Sequence, residues 1–289
     1  MDAFIFFLIQ VLNGVQYGLL LFLVASGLTL VFGIMGIVNL AHGSFYMVGA
    51  YLAYALAQAM GSLWLALALA VPLAVILGLA LELLFRPLYA RDHLYQVLLT
   101  YGLILVFEEG RSLLFGDDVH GVAVPTVLDF SLPLTPTLSY PVYRLFMSAV
   151  CLVIAGALYL LIGRTRIGMT IRAGAVNREM VELLGIDIGL VYRLVFALGV
   201  ALAAFAGMLA APVASVFPGM GNQVLIISFV VVVIGGIGSV KGALIGSLLI
   251  GLADTFGQLW APQFAGMTVY LLMAAVLVWR PAGLFGRTA

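Results

Sequence analysis

The stretch "VNLAHGSFYMVGAYLA", residues 38–53, lies in the longest part of the chain that contains no charged residue. Between Asp2 and Glu82 there is no Asp, Glu, Lys or Arg. A soluble core could not bury an apolar run of this length, so most of it must face lipid. The stretch nevertheless contains Asn39 and His42, three positions apart. Polar side chains are costly inside a bilayer and generally face a cavity or a partner.

The composition of the whole chain also indicates that lipid surrounds most of it. The 289 residues are 65% hydrophobic and 8% charged, whereas soluble domains carry about a quarter charged residues. Strands of a membrane barrel would alternate apolar and polar residues, but the apolar runs here are unbroken. We therefore predict an all-α, polytopic integral membrane protein. The first basic residue is Arg86, so a secretory signal peptide is not expected, and the single cysteine, Cys151, allows no intrachain disulfide.

Nine apolar runs are long enough to form membrane helices, which need about 20 residues. They lie at roughly 4–32, 38–59, 62–85, 94–115, 141–163, 192–215, 223–240, 242–260 and 266–280. Glycine-rich breaks at 33–36 and 235–238 allow some of these helices to be broken or re-entrant, so we predict eight to ten spans.

Basic residues predict the orientation. They cluster in three places, which the positive-inside rule assigns to the cytoplasm: Arg86 and Arg91; Arg164, Arg166, Arg172, Arg178 and Arg193; Arg280 and Arg287. The segment 116–140 has no Lys or Arg and is predicted to be a periplasmic loop. With nine spans, the N-terminus is then periplasmic and the C-terminus cytoplasmic.

Residues 1–289 are predicted to form a single transmembrane domain. Its longest cytoplasmic loop, 164–193, is too short to form a core of its own. The chain has no G-x-x-x-x-G-K-[ST] phosphate loop, and the nearest candidate, "GGIGSVKG" at 235–242, has Val240 where the motif requires glycine. If ATP drives this protein, another chain must bind it.

Within the loop, "AVNREMVELLG" (175–185) has the spacing of a short amphipathic helix. Gly185 is placed to end it. Its apolar stripe consists of Ala175, Val176, Met180, Leu183 and Leu184. Two interpretations remain open: a solvated connector that merely obeys the charge rule, or a docking helix that fits a groove on a partner.

A helical wheel that starts at Asn39 places His42, Gly43, Tyr46 and Ala50 on one face, with bulky residues opposite. This polar stripe is predicted to face a transport path. Asn39 follows a glycine break and could instead cap a helix, and His42 could simply bond a neighbouring helix. Both roles are compatible with a helix N-terminus that faces a cavity.

Other polar features point less sharply to function. Glu82 is expected to pair with Arg86, and Asp254 to lie towards the outer face. Small-residue ladders, Gly199/Ala203/Gly207/Ala211 and Gly242/Gly246, suit helix packing within the chain or at a dimer interface. No group of residues has the spacing of a metal site or a catalytic triad, so we do not expect an enzyme, a catalytic residue or a metal site.

Three segments resemble the branched-chain amino-acid ABC permease family of the LivH type. They are "SGLTLVFGIMGIVNLAHGSFYMVGAYLA" (26–53), "RTRIGMTIRAGAVNREMVELLGID" (164–187) and "VVVVIGGIGSVKGALIGSLLIG" (230–251). The N-L-A-H-G core and the G-G-I-G-S segment are fairly specific to this family, and the spacing matches over most of the chain.

The resemblance implies a heterodimer with a LivM-like sister permease, two ATPase subunits that bind ATP and Mg, and a periplasmic substrate-binding protein. It implies no cofactor in this chain, no nucleic-acid partner, and a location in the bacterial inner membrane. The coupling loop would use Arg172, Asn177, Glu179, Glu182 and Gly185. The translocation pathway would pass Asn39, His42, Tyr46, Gly235, Gly236 and Gly238.

The implied cargo is isoleucine, leucine or valine, although urea, short amides and aromatic or other carboxylates travel through similar permeases. A stand-alone secondary transporter or channel is the alternative of a different class. It would need intramembrane acids or a selectivity lining, and the first 81 residues offer only His42.

Overall fold

The computed structural model describes residues 2–89 and 91–286, and each of the nine apolar runs coincides with a helix in it. The helices are α1 (Asp2–Met35), α2 (His42–Met60), α3 (Leu63–Phe85), α4 (His93–Phe115), α5 (Val142–Arg164), α8 (Ile188–Ala214), α9 (Met220–Gly235), α10 (Val240–Trp260) and α11 (Ala265–Trp279). Two shorter helices, α6 (Arg166–Gly174) and α7 (Arg178–Leu183), lie in the predicted loop between α5 and α8. Arg287, used above for the orientation, lies outside the described residues.

The predicted all-α polytopic membrane protein is confirmed. By length and composition, six helices of the described part of the chain can cross a membrane: α1, α3, α5, α8, α10, and α11 with the 3-10 turn before it. The other three, α2, α4 and α9, have 19, 23 and 16 residues. Within the described residues, the only sheet is a hairpin of β1 (Ser131–Pro133) and β2 (Ser139–Pro141), with Leu132 opposite Tyr140.

The centre of the bundle is formed by α8, which packs against α1, α2 and α3. The ladder Gly199, Ala203, Gly207 and Ala211 is buried within the chain. A Cβ atom added at Gly207 would overlap the carbonyl oxygen of Tyr46, and one added at Gly49 would overlap that of Ala204. These small residues therefore allow the backbones of α2 and α8 to touch, and this ladder serves packing within the chain.

The predicted break after α1 is present and has a clear consequence. Gly36, the first residue after α1, has φ +67°, a left-handed conformation that glycine adopts without strain. His42 then lies beside Val24, about two-thirds of the way along α1. Residues 36–41 therefore turn back into the bundle, and α2 begins in its interior. Helix α9 also begins there, because Gly221 packs against the backbone of Gly43.

The segment 116–140 is tied to the bundle at its beginning. His120 and Val216 exchange two backbone hydrogen bonds of 2.8 Å, and the His120 ring stacks on Tyr54. Asp117 accepts a hydrogen bond of 2.9 Å from Arg111. Hydrogen bonds from Arg111 and then from Ser112 hold the pKa of Asp117 below its ordinary value.

The α2–α8 contact yields a stability prediction. Gly207→Ala places a methyl group against the Tyr46 carbonyl, so we expect it to lower the free energy of unfolding by about 1–3 kcal/mol. Gly156→Ala on α5, where a Cβ meets nothing within 4 Å, is the matched control and should be neutral or stabilise by up to about 1 kcal/mol. Denaturant titration in detergent measures both. Equal stability of the two variants would contradict the close contact.

Candidate transport cavity and coupling segment

A cavity of about 600 Å³ lies among α1, α5, α8 and α10, with Tyr46 of α2 at its wall. Its volume falls within the range of about 300–1,000 Å³ typical of small-molecule sites. More than half of its lining residues are polar, which is unusual inside an apolar bundle. The polar lining residues are Gln10, Asn13, Gln16, Tyr17, Tyr46, Arg144, Asp254, Thr255 and Gln258.

Long-range hydrogen bonds hold α5 in the wall of the cavity. Tyr143 donates a hydrogen bond of 3.0 Å to the carbonyl oxygen of Leu209 on α8. Its neighbour Arg144 donates one of 2.8 Å to Asn13 on α1. Because adjacent residues of α5 bind two different helices, the first turn of α5 is fixed between α1 and α8.

Asn39 and His42 are fully buried and do not border this cavity. The side-chain oxygen of Asn39 accepts a hydrogen bond of 3.0 Å from the backbone N–H of Ala41, one residue before α2 begins. The bond is an Asx-type turn that stabilises the entry to α2. Asn39 itself is not the N-cap residue, which is Ala41.

The His42 ring connects α2 to α1. Its Nε2 lies 2.9 Å from the carbonyl oxygen of Val24. A carbonyl oxygen can only accept, so Nε2 must carry the proton. This leaves Nδ1 of His42 buried with no hydrogen-bond partner among the described residues, and Nδ2 of Asn39 is in the same situation. Unpartnered buried polar atoms are destabilising and need an explanation beyond packing.

The other residues predicted for the pathway lie in two places. Tyr46 borders the cavity. Gly235, Gly236 and Gly238 lie at the opposite end of α9, away from the cavity lining, where they pack against other backbone segments. A Cβ added at Gly236 would lie 2.7 Å from Cα of Gly286, and Gly238 packs against Gly33. The predicted break at 235–238 is thus a tight crossing. Its glycines let the chain after α9 pack closely against Gly33, near the end of α1, and against Gly286.

The five predicted coupling residues lie together on the exposed segment around α7. Arg172 is in the last turn of α6. Asn177 is the N-cap of α7, and the Asn177 side chain accepts a hydrogen bond of 2.9 Å from the backbone N–H of Met180. The predicted helix is interrupted at Asn177, because this cap begins a new helix. Gly185 has φ +78°. Its N–H donates to the backbone carbonyl of Glu182, and the N–H of Ile186 donates to that of Val181, which together form a Schellman motif that ends α7.

The apolar stripe of this segment is exposed. Val176, Met180, Leu183 and Leu184 are 64%, 55%, 82% and 72% accessible, respectively. Contiguous exposed apolar side chains of this kind mark an interaction surface.

Helix α7 also connects to the bundle. The Arg178 guanidinium lies 5.4 Å from the ring centre of Tyr192 on α8, and Tyr192 contacts Tyr89 edge-on. Tyr89 donates a hydrogen bond of 2.8 Å to the buried Glu82 of α3. The expected Glu82–Arg86 ion pair is therefore wrong: within the described residues Glu82 binds the Tyr89 hydroxyl. Glu182 accepts a hydrogen bond from Arg178 and raises the pKa of the guanidinium.

The sequence profile described as "branched-chain amino acid transport system / permease component" matches residues 10–279. The chain belongs to this permease family. It is 31% identical to the high-affinity branched-chain amino acid transport system permease protein BraD of Pseudomonas aeruginosa, over 97% of this chain and 96% of that protein.

Other relatives span bacteria and archaea. The permease is 30% identical to LivH of Escherichia coli K12, over 99% and 97% of the two chains. It is 29% identical to a probable branched-chain amino acid transport permease LivH of Methanocaldococcus jannaschii, over 96% and 92%. No solved structure gives a significant match.

Several cavity residues of the permease were not predicted from the sequence. Arg144 is one of them, and its position near the start of the apolar run 141–163 is a signal that could identify it. Gln10, Asn13 and Tyr17 are spaced i, i+3 and i+7 and so share one face of α1. A search for charged residues does not detect this polar face, because glutamine, asparagine and tyrosine side chains are uncharged.

The His42–Val24 contact yields a second prediction. His42→Ala removes the bond and leaves a void, so we expect the free energy of unfolding to fall by about 2–4 kcal/mol. His93→Ala is the control, at an exposed histidine whose ring makes a long contact of 3.4 Å with Gln96, and should change the free energy of unfolding by less than about 0.5 kcal/mol. His42→Gln retains a donor and should recover part of the loss. If His42→Gln is as unstable as His42→Ala, the hydrogen bond is not what the imidazole contributes.

Proposed function

We propose that this chain is the membrane-spanning permease subunit of an ATP-driven ABC importer, which moves branched-chain or related hydrophobic amino acids into the cytoplasm. The proposal rests chiefly on α7: it exposes an apolar stripe on a polytopic chain that has no phosphate loop of its own. Membership in the permease family supports the same role. Two ATPase subunits would bind ATP and Mg, and this chain would convert their movement into a change of its helices.

In this proposal α7 is the coupling helix and docks in a groove on an ATPase subunit. Its stripe would supply apolar contact, and the exposed Arg172, Glu179 and Glu182 would set the orientation. Movement of α7 would reach the bundle through Arg178, because its contact with Tyr192 continues through Tyr89 to Glu82 in the interior of α3.

The distribution of arginines supports the proposed orientation. Residues 164–193, which include α6, α7 and the adjoining helix ends, hold five of the chain's twelve basic residues. We propose that this segment is cytoplasmic, with the N-terminus periplasmic and the C-terminus cytoplasmic. The cavity lies where α5 begins and α8 and α10 end. It would then open towards the periplasm, where a substrate-binding protein delivers its cargo.

The transport path would pass Tyr46 and the beginning of α2. Asn39 and His42 would fix the position of the first turn of α2. The unpartnered Nδ2 of Asn39 and Nδ1 of His42 would gain hydrogen-bond partners when segment 36–41 moves during transport. At the cytoplasmic end of the bundle, α9 and α10 would be able to shift against α1 because Gly235, Gly236 and Gly238 lie between them. A LivM-like sister permease would provide the opposite wall. The exact cargo, whether a branched-chain amino acid, urea, a short amide or a carboxylate, would depend largely on the binding protein.

Purification in mild detergent and reconstitution test the assignment. We expect the chain to purify with a second permease and two ATPase subunits from a bacterial inner membrane. Proteoliposomes of the complex should import leucine only with ATP and a binding protein. A chain that purifies alone and transports without ATPase subunits would be a secondary transporter or channel and would contradict the proposal.

The coupling role of α7 yields a separate prediction. Glu182→Arg breaks the ion pair with Arg178, and Gly185→Val strains a left-handed position by about 1–2 kcal/mol. Both should uncouple ATP hydrolysis from uptake, so that uptake falls at least about tenfold while hydrolysis continues. Glu109→Arg, at an exposed glutamate of α4, and Gly185→Asn, which tolerates positive φ, are the controls. Normal coupling in Glu182→Arg and Gly185→Val would exclude docking at α7.

A further inference from the structure

Two side chains of opposite charge line the same cavity, and neither is neutralised there. Arg144 comes from α5 and Asp254 from α10. Each is held by an amide: Arg144 donates to Asn13 at 2.8 Å, and Asp254 accepts from Gln258 at 2.8 Å. Across residues 2–89 and 91–286, neither takes part in a salt bridge.

The presence of two charged side chains in one cavity, without a salt bridge in the described part of the chain, requires a physical explanation. An unpaired charge in a membrane bundle is costly, and charged side chains there mark substrate pathways or partners. The two charges do not pair with each other within the described residues; the amides of Asn13 and Gln258 bind them at separate positions. A site that keeps a fixed cation and a fixed anion apart is complementary to a ligand with one carboxylate and one ammonium group.

The apolar part of the lining indicates the rest of the ligand. Leu20, Met147 and Val213 border the same cavity as the two charges. An aliphatic side chain would lie favourably against them, whereas a polar one would lose hydration there. Uncharged urea would use neither charge, and a simple carboxylate would use only Arg144.

We propose that this cavity is a binding site on the permease itself for an aliphatic zwitterionic amino acid, with Arg144 binding the carboxylate and Asp254 the ammonium group. The inference deepens the proposed importer function and rests on it. Specificity would then be exercised twice, by the binding protein and by these two residues. Tyr46 would supply a hydroxyl at the wall on the side of α2.

Three ligands test the two contacts separately. Leucine has both charges, leucinamide lacks the carboxylate, and 4-methylpentanoate lacks the ammonium group. Calorimetric titration at pH 7 of the assembled complex in nanodiscs, without binding protein, gives the affinity for each. For the unaltered complex, leucine should bind at least about tenfold more tightly than either analogue, because each contact is a charge-assisted hydrogen bond.

The variants should remove one preference each. Asp254→Asn should abolish the preference for leucine over 4-methylpentanoate and retain the preference over leucinamide. Arg144→Gln should do the reverse. Asp118→Asn and Arg91→Gln, at exposed charges outside the cavity lining, are the matched controls and should leave both preferences unchanged. A purely structural role would weaken all three ligands equally.

The outcomes separate the inference from the proposed function. If both variants lose subunit assembly or weaken all three ligands alike, the charges pair with another subunit and the inference is wrong. If leucine shows no preference over its analogues while ATP-dependent leucine uptake by the unaltered complex is normal, the inference fails and the importer function stands. If the unaltered complex imports no amino acid at all, the proposed function fails.

Discussion

Backbone contact between helices is the constraint on which the rest of this structure depends. Lipid provides no hydrophobic force to drive apolar helices together, so association relies on close packing and hydrogen bonds. At Gly27, Gly49 and Gly207 a single added carbon would meet the backbone of a neighbouring helix. These contacts bring α1, α2 and α8 together closely enough for His42 to reach the Val24 carbonyl. The position at which α2 begins follows from that approach.

The same packing leaves a polar cavity beside an apolar core. The glycines of α1 hold α10 close, since Gly14 and Gly18 pack against Gly251 and Ser247. One turn further along α10, this contact gives way to Asp254 and the cavity. The short α2 and α9 begin in the interior, where Gly43 and Gly221 pack against each other. The bundle thus combines a close helix–helix contact with a polar cavity beside it.

Much of the fold could be predicted from the sequence, because apolar runs of about 20 residues report the solvent directly. All nine runs are helices, and both glycine breaks interrupt them. The partners of individual polar residues could not be predicted in the same way. Glu82 binds Tyr89, seven residues away, although Arg86 is closer in sequence, and His42 binds a carbonyl on another helix. Arg144 and Asn13 are 131 positions apart, so only the tertiary structure shows that they share a cavity.

The central claim is that the cavity between α1, α5, α8 and α10 is a water-accessible part of the transport path. Cysteine labelling tests it most directly, in a Cys151→Ser background that removes the single native thiol. Val213→Cys borders the cavity, and Val153→Cys lies on the exposed outer surface of α5 as a control. A membrane-impermeant, hydrophilic thiol reagent added from the periplasmic side should modify Val213→Cys, leucine should slow this reaction, and Val153→Cys should not react. An unreactive Val213→Cys, or labelling that leucine does not change, would contradict the account.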